Sequence, residues 1–113
     1  MTDHDTHDHP PRAGEWPVSS DEELHRGARI LSALGDPERL RLLQLIAPGE
    51  ICVSDLVETT GARSTTVSQR LRLLRDHDLV RTRREGKHIY YRLTDDHVVA
   101  LLRSAIDHAV EVG

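Results

Sequence analysis

Val67, Leu71 and Leu74 recur at i, i+4 and i+7 inside a run that is otherwise largely polar and basic, Ser64-Thr-Thr-Val-Ser-Gln-Arg-Leu-Arg-Leu-Leu-Arg75. That spacing predicts a helix with one inward apolar face. Thr65, Ser68, Gln69 and Arg72 then face outward, and Arg70 and Arg75 flank them. Upstream, Val53 or Ser54 opens a brief helix through Leu56 and Val57 that Gly61 breaks. Ala62 and Arg63 make a turn, and Ser64 is the expected cap of the next helix. Helix, short Gly-containing turn and second helix is the arrangement that sets the second helix into a DNA major groove. A helix with one apolar and one basic face is by itself usually a solvated surface helix. The helix and turn before it favour DNA, because short and forked hydrogen-bonding side chains suit base edges and phosphates.

Leu79-Val-Arg-Thr-Arg-Arg84 and His88-Ile-Tyr-Tyr-Arg-Leu93 flank Glu85-Gly-Lys87, the pattern of a β-hairpin around a Gly-containing turn. Arg83, Arg84 and Lys87 cluster at its tip. A basic hairpin after a helix-turn-helix is a wing, able to reach phosphates or an adjacent minor groove. Tyr90 and Tyr91 point to opposite faces, so at least one should pack on the core, and His88 reads as a surface residue of the wing. The net charge of −4 argues against nucleic acid only until it is divided. Residues 1–23 carry seven acids against Arg12, whereas residues 62–92 carry nine bases against Asp76, Asp78 and Glu85, a local net of +6. The local block is the electrostatic footprint that matters.

The rest of the chain supplies the support. Residues 1–19 read as a disordered tail rich in His and Asp, and 20–113 as one domain. Ser20-Asp-Glu-Glu23 is a capping box opening a helix to about Leu34, with Leu24, Ala28, Leu31 and Leu34 as its apolar stripe. Gly35 ends it. Asp36-Pro37 caps and starts the next helix, with Leu40, Leu43 and Ile46 inward and Pro48-Gly49 at its end. Glu50 to Val53 is a short extended link. With no Phe, one Trp and two Tyr in 113 residues, the core must be aliphatic, and dimerisation would help a chain this small to bury enough of it. One cysteine, Cys52, excludes an internal disulfide and fits a reducing compartment. No apolar run approaches a membrane span, so a cytoplasmic protein without membrane contact is expected.

The stretch from Thr94 to Glu111 carries the metal chemistry. Val98, Leu101, Leu102, Ala105, Ile106 and Ala109 repeat at helical spacing, with Thr94 or one of the two following aspartates as the cap. His97 and His108 lie eleven residues apart, which returns them to within about 20° of the same face. Their Cα atoms are nevertheless roughly 16 Å apart along the axis, too far for one ion on one straight helix. A second, antiparallel copy of the helix resolves this. Asp95 and His97 of one chain would meet His108 and Glu111 of its partner, at two equivalent places. Two nitrogen and two oxygen donors suit tetrahedral Zn(II) better than a soft ion. Two histidines alone would read as unrelated surface residues; the four-residue pattern on a dimer-forming helix favours the site. The tail histidines His4, His7 and His9 either bind metal or are simply solvated in an acidic arm.

These elements, in this order, resemble the ArsR/SmtB family of metal-responsive winged-helix repressors over about residues 22–111. The resemblance rests on Leu34-Gly-Asp-Pro-Glu-Arg-Leu40, Glu50-Ile-Cys-Val-Ser-Asp-Leu56, Ser64-Thr-Thr-Val-Ser-Gln-Arg-Leu71, Arg84-Glu-Gly-Lys-His-Ile-Tyr-Tyr-Arg-Leu93 and the terminal histidine helix. It implies a mainly α fold with a β-hairpin wing, a winged helix-turn-helix acting as a homodimer. It also implies binding to an imperfect inverted repeat in double-stranded DNA, with release when metal binds. Asp95, His97, His108 and Glu111 match the ligand pattern of the zinc-sensing branch. The thiophilic branches carry Cys-Val-Cys where this chain has Cys52-Val53-Ser54, so a thiolate-rich site is not expected. Cys52 and Asp55 match a secondary site that N-terminal ligands complete in some members, here His4, His7 or His9; a half-buried structural cysteine is the plainer alternative.

Other readings follow from the same residues. Co(II) or Ni(II) could replace Zn(II) as inducer, with Glu111 and the tail expanding the coordination. A redox regulator acting through Cys52, or a protein-binding winged helix, would keep the fold. A hydrolase with metal at the dimer interface is the rival from another class. A catalytic zinc keeps an open position, whereas four protein ligands close this one and no separate base or nucleophile accompanies it. No organic substrate is expected.

Overall fold

The computed structural model describes residues 18–112. Among the described residues, five helices and three strands follow in the order α1 (Asp21–Leu34), α2 (Pro37–Ile46), β1 (Ile51–Cys52), α3 (Val53–Thr60), α4 (Ser64–Asp76), β2 (Val80–Glu85), β3 (His88–Leu93) and α5 (Asp96–Val112). The result is mainly α with a small sheet, a winged helix-turn-helix. The expected tail, residues 1–19, lies almost wholly outside the described residues.

Local chemistry sets the helix ends. Ser20 and Glu23 form a reciprocal box: the Ser20 N–H donates to Glu23 Oε1 at 2.8 Å, and the Glu23 N–H donates to Ser20 Oγ at 3.1 Å. Asp36 Oδ2 accepts from the N–H groups of Glu38 and Arg39, with Pro37 at the first helical position. Arg39 then reaches back across the corner. Its Nε donates to the Ala33 carbonyl at 2.7 Å, an acceptor at the end of α1, and its Nη2 donates at 3.2 Å to the Ser32 carbonyl, which also accepts from the Gly35 N–H. Gly61, at φ 71°, closes α3 in the left-handed conformation that glycine adopts without a steric penalty. Arg63, not Ser64, occupies the cap position of α4, and no side chain caps it. Ser64 is already the first helical residue, so its hydroxyl lies at an exposed helix start instead of closing it.

The segment expected as an extended link forms a third strand. The sheet order is β1-β3-β2, all antiparallel, with Ile51 opposite Tyr91 and Cys52 opposite Tyr90. The hairpin register runs from Val80 opposite Leu93 to Glu85 opposite His88, and Gly86 (φ 61°) makes the tight turn. Tyr91 packs on the core and Tyr90 is half-buried on the other face, the division expected from strand alternation.

The core is aliphatic, as the absence of Phe requires. Leu42, Leu43 and Ile46 of α2, Leu56 of α3, and Val67, Leu71 and Leu74 of α4 are buried against Leu79, Val80, Tyr91 and Leu93. Val98 and Leu102 bring α5 onto this body. Two expected inward stripes are only partly used. On α1, Ala33 is buried while Leu24 and Leu31 remain 60% and 61% exposed; on α5, Leu101 remains 40% exposed, and Ala105 and Ala109 lie outside. On α2, Leu42 is buried and Leu40 only half so. One chain's core covers one side of α1 and α5 and leaves the other apolar side open.

Candidate functional site

Two separate surfaces hold most of the residues singled out from the sequence. The first is built on α4. Burial of Val67, Leu71 and Leu74 fixes the rotation of this helix, so Ser64, Thr65, Ser68, Gln69 and Arg72 line one shallow concave surface facing solvent. Arg75 is exposed further along. Arg70 is half-buried and turns off this face, one helical step from Val67. The face offers hydroxyls, a carboxamide and a guanidinium, donors and acceptors matched to base edges and phosphates.

At the wing, Arg84 and Lys87 are exposed, but Arg83 is engaged within the fold. Its Nε and Nη2 donate to the Glu50 carboxylate at 2.9–3.1 Å, and its Nη1 donates to Glu85 Oε1 at 2.7 Å. Its guanidinium also lies 4.8 Å from the Tyr90 ring centre. The Arg83 guanidinium lowers the Glu50 carboxyl below the usual carboxylate range, chiefly by hydrogen bonding. The two carboxylates hold Arg83 more firmly protonated than usual. Glu50 was not singled out from the sequence, because nothing in its local pattern shows that it faces a residue 33 positions on.

The second surface is on α5. Asp95 Oδ1 accepts from the N–H groups of His97 (2.9 Å) and Val98 (3.2 Å), so Asp95 is the cap among the three residues expected. These bonds leave Oδ2 for another partner. His97 Nδ1 lies 3.6 Å from Asp95 Oδ1, and the His97 side chain is 95% exposed. His108 and Glu111 are exposed near the other end of the same helix. Within one chain the described residues hold no cluster of three or more His, Cys, Asp or Glu side chains able to grip an ion. Asp95 and His97 are thus brought together, and His108 and Glu111 are not brought to them.

Cys52 sits half-buried at the N-terminal end of α3, its Sγ 3.3 Å from Ser54 Oγ and 3.8 Å from His88 Nδ1. The hydroxyl and backbone of Ser54, and to a lesser degree His88, lower the thiol below its ordinary range. Asp55 is exposed on the first turn of α3, and His4, His7 and His9 lie outside the described residues. His88 is the neighbour that the sequence reading missed. Its signal was the sheet register, visible only once β1 pairs with β3.

Comparison with known proteins agrees with this geometry. Residues 36–82 match the family described as bacterial regulatory protein, arsR family. A transcriptional repressor SmtB homolog of Synechocystis is 43% identical over 94 residues, covering 83% of this chain and 71% of its own length. A homodimeric winged helix-turn-helix DNA-binding domain from Mycobacterium bovis, a possible ArsR-family regulator, superposes with a TM-score of 0.76 at 35% identity, covering 85% of this chain and 92% of that one. The AntR antimony-specific transcriptional repressor superposes with a TM-score of 0.78 at 29% identity, covering 91% and 94%. These relatives are DNA-binding transcriptional regulators and not enzymes. With its helix-turn-helix, its wing and this degree of identity, the chain belongs to the ArsR family of bacterial regulatory proteins.

Proposed function

We propose that the chain is a homodimeric, metal-responsive repressor that binds an operator inverted repeat through α4 and the wing, and releases it when Zn(II) binds between the two α5 helices. The observation that carries the metal reading is the exposed pair at the start of α5. Asp95 and His97 stand 3.6 Å apart with one carboxylate oxygen unused by the cap, and among the described residues no third ligand of the same chain joins them. A second copy of α5 would supply the missing donors.

The apolar side of α1 and α5 favours that copy. Leu31, Leu34, Leu40, Leu101 and Ala105 line a continuous apolar groove. Burying this face would remove from water what one chain leaves exposed of Leu31 (61%) and Leu101 (40%), each contributing roughly half of the about 1.5–3 kcal/mol of a fully buried leucine. Antiparallel packing of α5 on its symmetry mate would set Asp95 and His97 beside the partner's His108 and Glu111. The donor set of two imidazoles and two carboxylates fits Zn(II), which would supply a closed cross-link between subunits and no open catalytic position. Co(II) or Ni(II) would meet the same donors and is the alternative inducer.

Each chain's own packing would transmit the change. Val98 and Leu102 are buried in the body that also holds α4, with Ile106 packed against it, so the tilt of α5 sets where α4 points. The two α4 helices of a dimer must lie roughly 34 Å apart to enter successive major grooves. A pair of α5 helices held at another angle would miss that spacing. A coupling of about 3 kcal/mol weakens operator binding about 150-fold.

The test is operator binding by fluorescence anisotropy, with and without Zn(II), for the wild type, His97→Ala and His108→Ala. The variants should bind the operator as the wild type does and ignore the metal. Loss of binding by the metal-free variants would make the histidines structural, and retained metal response would move the site elsewhere.

A further inference from the structure

We propose that Thr94 is a positioning residue of the joint between α4 and α5, its buried hydroxyl lowering the cost of swinging α5 off the body. The proposal rests on the metal reading above only for what drives the swing. Among the described residues Thr94 is the one buried polar side chain, 7% exposed, and its Oγ1 has no hydrogen-bond partner in the protein. A hydroxyl enclosed among apolar side chains gives up its hydration and here recovers no bond in exchange. Buried polar groups are almost always paired, so an orphan of this kind needs a reason.

Its place in the fold supplies one. Thr94 follows the last residue of β3 and precedes Asp95, whose carboxylate caps α5. The Thr94 N–H donates to the Leu79 carbonyl at 3.1 Å, and the Leu79 N–H donates to the Leu74 carbonyl of α4 at 2.9 Å. Backbone hydrogen bonds therefore run from the last turns of α4 to the residue beside the α5 cap. Leu74, Leu79, Leu93 and Val98, which flank this path, all belong to the core. The turn entering Leu79 carries a cost of its own. Asp78 sits at φ 56°, the one described non-glycine residue in the left-handed region, and strain of this kind collects at elements that switch. An unpaired hydroxyl and a strained turn thus meet at one joint, on the two segments that link α4 to α5. With α5 packed down, the hydroxyl stays unpaired. A tilt of α5 that opens the joint lets it reach water or a backbone carbonyl, so Thr94 makes the tilted arrangement cheaper than an apolar residue would.

The experiment compares Thr94→Val, which keeps the branched shape and removes the hydroxyl, with Thr94→Ser, which keeps the hydroxyl. In the full chain without metal or DNA, Thr94→Val should melt about 4–8 °C higher than the wild type. Amide exchange across Val98–Leu102 should slow at least about fivefold in that variant, because opening the joint now costs more. Thr94→Ser should exchange as the wild type does. With the operator present, Zn(II) should weaken binding at least about fivefold less in Thr94→Val than in the wild type, at unchanged metal-free affinity. A lower melting temperature or failure to fold in Thr94→Val would show the hydroxyl to be bonded, and would overturn the proposal. Higher melting with unaltered exchange and a full zinc response would overturn it too, reducing Thr94 to a packing defect. A wild type indifferent to Zn(II) would refute the metal reading, and the exchange measurement would then decide the role of Thr94 by itself.

Discussion

Arg83 and Glu50 meet across 33 positions of sequence, with three hydrogen bonds of 2.9–3.1 Å joining the guanidinium to the carboxylate. One of the three positive charges expected at the wing tip is therefore committed to holding the wing against the segment before β1. Glu85 and the Tyr90 ring complete the clasp. A charge paired this way contributes less to phosphate attraction than one left open, so contact with DNA at the wing is expected from its neighbours Arg84 and Lys87.

Salt dependence separates the two roles. Arg84→Ala and Lys87→Ala should each weaken operator binding and each reduce the slope of log K against log salt by about 1. Arg83→Ala should change that slope little and instead loosen the wing, visible as faster amide exchange in β2 and β3. An equal slope change in all three variants would count against the clasp.

The same pair responds to acid. Glu50 titrates below the usual carboxylate range when folded, so the stability it contributes is complete above that range. It is lost as pH falls through the lowered folded value. The Tm difference between wild type and Glu50→Gln should be constant from neutral pH down to about 5 and close at more acidic pH. A difference that grew on acidification would contradict the assignment.

On α4 the outward side chains divide by role. Gln69→Ala should cost about 1–3 kcal/mol of discrimination at one base pair, because a carboxamide can pair bidentately with adenine. Arg75→Ala should weaken all sequences about equally. Binding to a set of single-position operator variants measures both, and equal losses on every variant for Gln69→Ala would remove it from base readout.

The apolar side of α1 gives a test of assembly. Leu31→Asp changes a residue that is 61% exposed in one chain, so the isolated fold should survive it. Sedimentation should then show a monomer with native circular dichroism. Leu71→Ala does the opposite, costing about 2–5 kcal/mol by emptying a fully buried position without touching the shared face. A dimeric Leu31→Asp protein would place the interface elsewhere.

What the sequence determined by itself was local and periodic. Val67, Leu71 and Leu74 specified both the inward face of α4 and, by exclusion, its outward polar face, because a helix repeats every 3.6 residues and needs no distant partner to do so. Ser20 with Glu23, Asp36 with Pro37, and Gly61 and Gly86 marked the ends and turns for the same reason: capping and left-handed backbone are settled within a few residues. Tertiary structure decided what depends on closure between distant segments. It made Ile51 and Cys52 a strand by pairing them with β3, drew Glu50 to Arg83, and set His88 beside Cys52. It also split the apolar stripes of α1 and α5 into a buried and an open side. Periodicity can say that a side chain is on an apolar face, but only packing says whether its own chain covers that face.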